Sequence, residues 1–169
     1  MSEQKIKVMI VDDEENTRSL LRICLDWAAV GCEIVQEADS GQEALDLLGE
    51  NEVDILITDI KMPFMDGLEL SRRVAEEYPD IKIIMLTAYE IFEYAREGIR
   101  MGVADYIVKP VRRDALRQSV CKVRDSILEK RNLLKAQQEY QERVDECMEE
   151  ICKAVKAGKE EQAYGYINS

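Results

Sequence analysis

The chain has 169 residues, 46% hydrophobic and 34% charged, with only 3 prolines and 8 glycines, a globular composition long enough for one full domain and something smaller. The net charge of −12 argues against nucleic-acid binding by this chain alone, and the total lack of histidine excludes a Ser-His-Asp triad, a His-ligated metal and a phosphohistidine carrier. Residues 1–111 hold 11 Lys/Arg against 24 Asp/Glu while 112–169 hold 12 against 11, so the acidity belongs to the first part.

Ile6 to Val11 is a short apolar run that reads as a buried strand, and it ends in Asp12-Asp13-Glu14-Glu15. From Asn16 to Trp27, Leu20, Leu21, Cys24 and Trp27 share one helical face, with Gly31 as the stop. Cys32 to Ala38 alternates like a second strand. Ser40 with Glu43 forms a capping box for a helix through Leu48. The third strand, within Val53 to Thr58, is nearly all apolar and ends on Asp59; Pro63 marks a loop and Asp66-Gly67 a helix start. That helix runs from about Gly67 to Tyr78. A fourth strand, Ile81 to Leu86, ends at Thr87-Ala88; a helix from about Glu90 to Met101 follows; and a fifth strand, Ala104 to Val108, ends at Lys109-Pro110.

Five mostly continuous apolar strands alternating with helices predict an α/β fold. The expected form is a flavodoxin-like, doubly wound five-stranded parallel sheet in the order 2-1-3-4-5, with a long C-terminal helical or coiled-coil extension. Parallel topology puts Asp12, Asp13, Asp59, Thr87 and Lys109 at one rim. Taken singly, the aspartates could cap helices, Thr87 could be a turn hydroxyl and Lys109 could sit in a surface turn. Together they match one chemistry. Three clustered carboxylates need a cation, and oxygen ligands without His or Cys suit Mg²⁺, or Mn²⁺. A lysine and a hydroxyl beside the metal suit an anion. The set fits phosphoryl transfer with Asp59 as nucleophile.

VDDE at 11–14, TDIKMPFMDG at 58–67, LTAY at 86–89 and ADYIVKP at 104–110 give residues 5 to about 128 a resemblance to a bacterial response-regulator receiver domain. The resemblance implies that Asp59 accepts a phosphoryl group from a sensor histidine kinase. It implies Mg²⁺ on Asp13, Asp59 and the backbone carbonyl of Lys61, with Asp12 acting mostly through water. Lys109 would meet the phosphoryl oxygens and precede a cis proline, and Thr87 with Tyr106 would form a switch pair read out on the face of the fourth helix, fifth strand and fifth helix. Such a domain is no enzyme beyond self-phosphorylation and slow autodephosphorylation. A dehalogenase-like phosphatase would need a second aspartate two residues after the nucleophile, where Lys61 stands. A receiver shell that is never phosphorylated is a third reading, and the complete set of site residues argues against it.

The expected division is a receiver over 1–128 and a helical linker or dimerisation segment over 129–169. A 4-3 spacing runs through Leu116, Val120, Val123, Ile127, Lys130, Leu134, Gln137, Gln141, Val144, Met148, Ile151 and Val155, nine of twelve apolar, which reads as a coiled-coil seam. A parallel homodimer along this seam is expected. The alternative is a helix that breaks near Asn132 or Gln137-Gln138 and folds back, or pairs antiparallel. Charge supports the alternative, since 112–135 holds 8 basic against 3 acidic residues and 136–169 holds 4 against 8. The tail is similar to the linker of regulators that continue into an AraC-type DNA-binding domain, so DNA binding is expected through an output domain beyond this fragment. Five scattered cysteines, no apolar run of about 20 residues and no signal-peptide pattern predict a cytoplasmic protein without membrane contact.

Overall fold

The structure, a computed structural model, describes residues 5–88, 102–159 and 165. Five strands form one parallel sheet in the order β2-β1-β3-β4-β5, the flavodoxin-like arrangement. They are β1 (Ile6–Val11), β2 (Cys32–Ala38), β3 (Ile55–Asp59), β4 (Lys82–Thr87) and β5 (Val103–Val108). The described helices are α1 (Glu15–Cys24), α2 (Gly41–Glu50), α3 (Gly67–Glu77) and α4 (Arg113–Lys156), the last being the fifth helix expected from sequence. The helix expected over Glu90–Met101 lies outside the described residues.

Strand alternation sends side chains to two cores. Ile10, Ile57 and Leu86 pack with Leu21 of α1 and with Leu116, Val120, Val123 and Ile127 of α4. Met9, Leu56 and Met85 pack with Ala44 and Leu48 of α2 and with Leu70 and Val74 of α3. Both faces of the central strands are therefore dry, which is why they read as continuous apolar runs. With every side chain of β3 buried, its one acidic residue, Asp59, is held at the strand end with little freedom.

The helix ends depart from the sequence expectation most at α1, while α2 continues past Leu48 to Glu50. α1 stops at Cys24, and Trp27 lies beyond it rather than on its face. The Trp27 indole N–H donates to the Leu21 carbonyl at 3.1 Å, and the Asp26 carboxylate accepts from the Ala29 amide at 3.1 Å. These bonds favour a separate turn over another turn of helix. At α2 the capping box forms with a shift: Ser40 Oγ accepts from the Glu43 amide at 3.3 Å, while the Glu43 carboxylate accepts from Asp39, not Ser40. Asp66 caps α3 through the Glu69 amide at 2.8 Å.

The chain divides into two compact units, Met1–Ile127 and Leu128–Ser169. Leu116, Val120, Val123 and Ile127 of the 4-3 spacing belong to the first unit's core. α4 has no break at Asn132 or Gln137-Gln138, so the folded-back alternative is overturned: this stretch contains no proline or glycine to interrupt the backbone ladder. In the second unit Leu134, Met148 and Val155 are exposed. The helix closes on Gly158 at φ +70°, whose amide donates to Val155, a left-handed cap that glycine adopts without strain.

Candidate functional site

The rim predicted from sequence is assembled. Asp12 follows the last residue of β1, Asp59 ends β3, and β5 delivers Lys109 between them. The Lys109 ammonium lies 3.1 Å from Asp12 Oδ2 and 3.0 Å from Asp59 Oδ1. Asp12, Asp13 and Asp59 each present a carboxylate oxygen within 4.8 Å of the others. Asp12 and Asp59 are buried and Asp13 is exposed. The Asp12 carboxylate also accepts from the Glu14 amide at 2.9 Å. That bond makes Asp12 part of the turn before α1, while Glu14 occupies the N-cap position with its carboxylate accepting from the Thr17 hydroxyl at 3.2 Å and capping no backbone amide.

A cavity of about 280 Å³ opens over this cluster, walled by Asp13, Glu14, Asp59, Ile60, Lys61, Thr87, Ala88 and Lys109. Thr87 is buried at the end of β4, and its carbonyl accepts from the Lys109 amide at 2.7 Å, which ties the two strand ends together. The Lys109-Pro110 peptide is cis. Tyr106 does not line the cavity. It is partly buried against the core formed with α2 and α3. Because Thr87 pairs with Val108 and Met85 with Tyr106, strand alternation puts Thr87 and Tyr106 on one face as diagonal neighbours.

Electrostatics follow the packing. Burial pushes the Asp59 carboxyl above its usual range. The Lys109 ammonium works the other way, and the Asp12 charge adds to the effect of burial. For Lys109 burial opposes the charged form, yet the bonds to Asp59 and Asp12 outweigh it and hold its pKa up. The Tyr106 phenol is raised by burial alone. Two buried carboxylates and one exposed one, with a single ammonium between the buried pair, leave excess negative charge in a low-dielectric rim. An all-oxygen donor set of this kind fits a hard divalent cation.

Two residues not anticipated from sequence shape the site. Gly67 runs so close beneath Asp59 that a Cβ there would meet the Asp59 carbonyl oxygen and lie 2.9 Å from its carbonyl carbon. Arg18 on α1 donates to the Asp12 carbonyl at 2.7 Å. A signal existed for each: the Asp66-Gly67 helix start, and the Glu15/Arg18/Arg22 spacing that places charges on one helix face.

Among the described residues no helix is long and apolar enough to cross a membrane. The family model for the response regulator receiver domain matches residues 8–121. The uncharacterized transcriptional regulatory protein YesN of Bacillus subtilis (strain 168) is 36% identical over 104 residues, 62% of this chain and 28% of that protein. The transcriptional regulatory protein HptR of Staphylococcus aureus (strain NCTC 8325 / PS 47) is 37% identical over 105 residues, 62% of this chain and 41% of that protein. The chain thus spans less than half the length of these curated relatives. Among solved structures, the REC domain of AraT, a response regulator from Geobacillus stearothermophilus, is 40% identical with a TM-score of 0.70, covering 75% of this chain and 98% of that one. A two-component transcriptional regulator AraC from Clostridium phytofermentans ISDg is 29% identical with a TM-score of 0.69, covering 74% and 97%. The matched segment holds the acidic rim, and with it the chain belongs to the response regulator receiver domain family, a signalling family rather than one of conventional enzymes.

Proposed function

We propose that this chain is the phosphoacceptor module of a two-component transcriptional regulator, with Asp59 as the acceptor and a sensor histidine kinase as donor. One observation carries the reading: Lys109 bridges Asp59 and Asp12 at 3.0 and 3.1 Å inside a three-carboxylate cluster that opens to a cavity. An oxygen of the Asp59 carboxylate forms the new P–O bond as the P–N bond of the donor phosphohistidine breaks, and the imidazole nitrogen leaves with the bonding pair. Water later attacks the same phosphorus, which releases inorganic phosphate and restores the carboxylate.

Asp12, Asp13, Asp59 and the backbone carbonyl of Lys61 would hold Mg²⁺, or Mn²⁺, Asp12 mostly through water. The ion supplies charge neutralisation for the incoming phosphoryl oxygens. Lys109 exchanges part of its present pairing for a phosphoryl oxygen. Thr87, at the cavity wall, donates its hydroxyl to another. Drawing that hydroxyl inward opens room for the Tyr106 ring on the same face, turning a local charge into a packing change. The readout passes to α4, whose seam beyond Ile127 would pair two copies of the chain. DNA contact belongs to an output domain outside these residues, as the transcriptional relatives suggest. Such a regulator acts in the cytoplasm.

The test is an amide NMR titration with beryllium and fluoride salts, with and without Mg²⁺. Mg²⁺-dependent shifts at Asp59, Thr87 and Tyr106 are expected, and a spectrum that stays unchanged overturns the reading. Light scattering under the same conditions, on this chain and on one cut near Lys130, tests the pairing of α4: the longer chain should be dimeric and the cut one monomeric.

A further inference from the structure

Arg18 lies against the acidic loop, and the proposed chemistry gives it no role. It projects from α1 with 14% of its side chain exposed, and its Nη1 donates to the Asp12 carbonyl at 2.7 Å. The rest of the guanidinium is gripped as well. Nη2 pairs with Glu15, and Nε lies 3.6 Å from Glu37 on β2. Arg22 holds the same two glutamates, at 2.8 Å to Glu37 and 3.0 Å to Glu15. A network across α1 and β2 therefore ends on one backbone oxygen at the rim.

That oxygen belongs to the peptide joining Asp12 to Asp13. The unit is planar, so fixing its carbonyl fixes the plane from which Asp13 departs. Asp12 is further held through its side chain by the Glu14 amide and Lys109. Asp13 is exposed, and the direction of its carboxylate is governed by the backbone that carries it.

We infer that Arg18 is a positioning residue: by locking the Asp12–Asp13 peptide plane it sets the spacing of the three carboxylates, and with it the divalent-cation affinity of the cluster. The inference rests on the cation-binding role proposed above. Arginine suits the task because its planar fork spans a carbonyl on one side and carboxylates on the others, which an ammonium cannot do at once.

The experiment compares Arg18→Met, Arg18→Lys and Arg22→Met with the unaltered chain, using Mg²⁺ calorimetry and metal-free amide spectra. Arg18→Met should weaken Mg²⁺ binding roughly tenfold, the low end for loss of an outer-shell partner. Arg18→Lys should recover part of the loss. Arg22→Met removes the same charge and other bonds of the network but leaves the Asp12 contact, so it should stay within about twofold of the unaltered chain. In the absence of metal, the Asp13 and Glu14 amides should move in Arg18→Met and not in Arg22→Met. Affinity in Arg18→Met within about twofold of the unaltered chain, or an equal loss in both methionine variants, would overturn the inference. If the unaltered chain takes up no Mg²⁺, the cation reading itself fails, and the metal-free amide comparison still decides whether Arg18 positions the loop. Should Arg18→Met not fold, Arg18→Lys carries the same comparison against Arg22→Met.

Discussion

The Lys109 ammonium sits 3.0 Å from Asp59 Oδ1, so the candidate nucleophile is engaged by a cation that the sheet, and not a local turn, delivers. Asp59 closes β3 and Lys109 follows β5, two strands separated by β4 in the sheet order. The tie between the Thr87 carbonyl and the Lys109 amide holds the strand ends in step. The pairing therefore reports on the register of the whole half-sheet, and damage to the sheet should reach the site.

Gly67→Ala tests the backbone beneath the acceptor. The new Cβ, fixed on the backbone, meets the main-chain carbonyl oxygen of Asp59, so neither can swing away. A loss of about 2 kcal/mol or more in urea unfolding is expected, the range for overpacking against a rigid neighbour. The beryllofluoride response should weaken in the fraction that still folds. An alanine variant as stable as the unaltered chain would show that the β3–α3 loop has room to shift.

Most of the fold was legible because the strands are nearly unbroken apolar runs: β1 and β2 have the limits read from sequence, and the strand order follows from βα alternation. Asp12, Asp13, Asp59, Thr87 and Lys109 were legible for the same reason, since each ends a strand or follows its end within two residues. What escaped was set by single side-chain bonds to nearby backbone carbonyls, which leave no trace in the apolar pattern. Trp27 fits the helical spacing of α1 and yet leaves it, because its indole finds the Leu21 carbonyl. Arg18 looks like a surface charge until the Asp12 carbonyl is placed beside it.

Ser119 offers a stability gain. It is buried on α4, and its hydroxyl has no hydrogen-bond partner among the described residues. A buried donor without a partner keeps its desolvation penalty. Ser119→Ala should raise stability by about 1 kcal/mol in chemical denaturation. A clear loss instead would mean that the hydroxyl is satisfied in solution.

Glu69 sets a pH marker on α3. Arg72 binds its carboxylate at 2.8 and 3.1 Å and Arg73 at 2.9 Å, which pulls its pKa from 4.5 down to about 2. The folded value lies below the unfolded one, so the stabilising contribution is present above pH 4.5 and is lost as the pH falls through about 2. Carboxyl-detected NMR should find a midpoint near 2 that rises toward 4.5 in Arg72→Met/Arg73→Met and in high salt. A midpoint near 4.5 in the unaltered protein at low salt would show the pairs to be absent in solution.

Intact-mass spectrometry after incubation with acetyl phosphate, with Mg²⁺ and with chelator, tests the phosphoacceptor role most directly. One added phosphoryl group, about 80 Da, is expected, which requires Mg²⁺, is absent in Asp59→Asn and is lost on standing as the acyl phosphate hydrolyses. An unshifted mass with Mg²⁺ present, or the same shift in Asp59→Asn, would contradict that role.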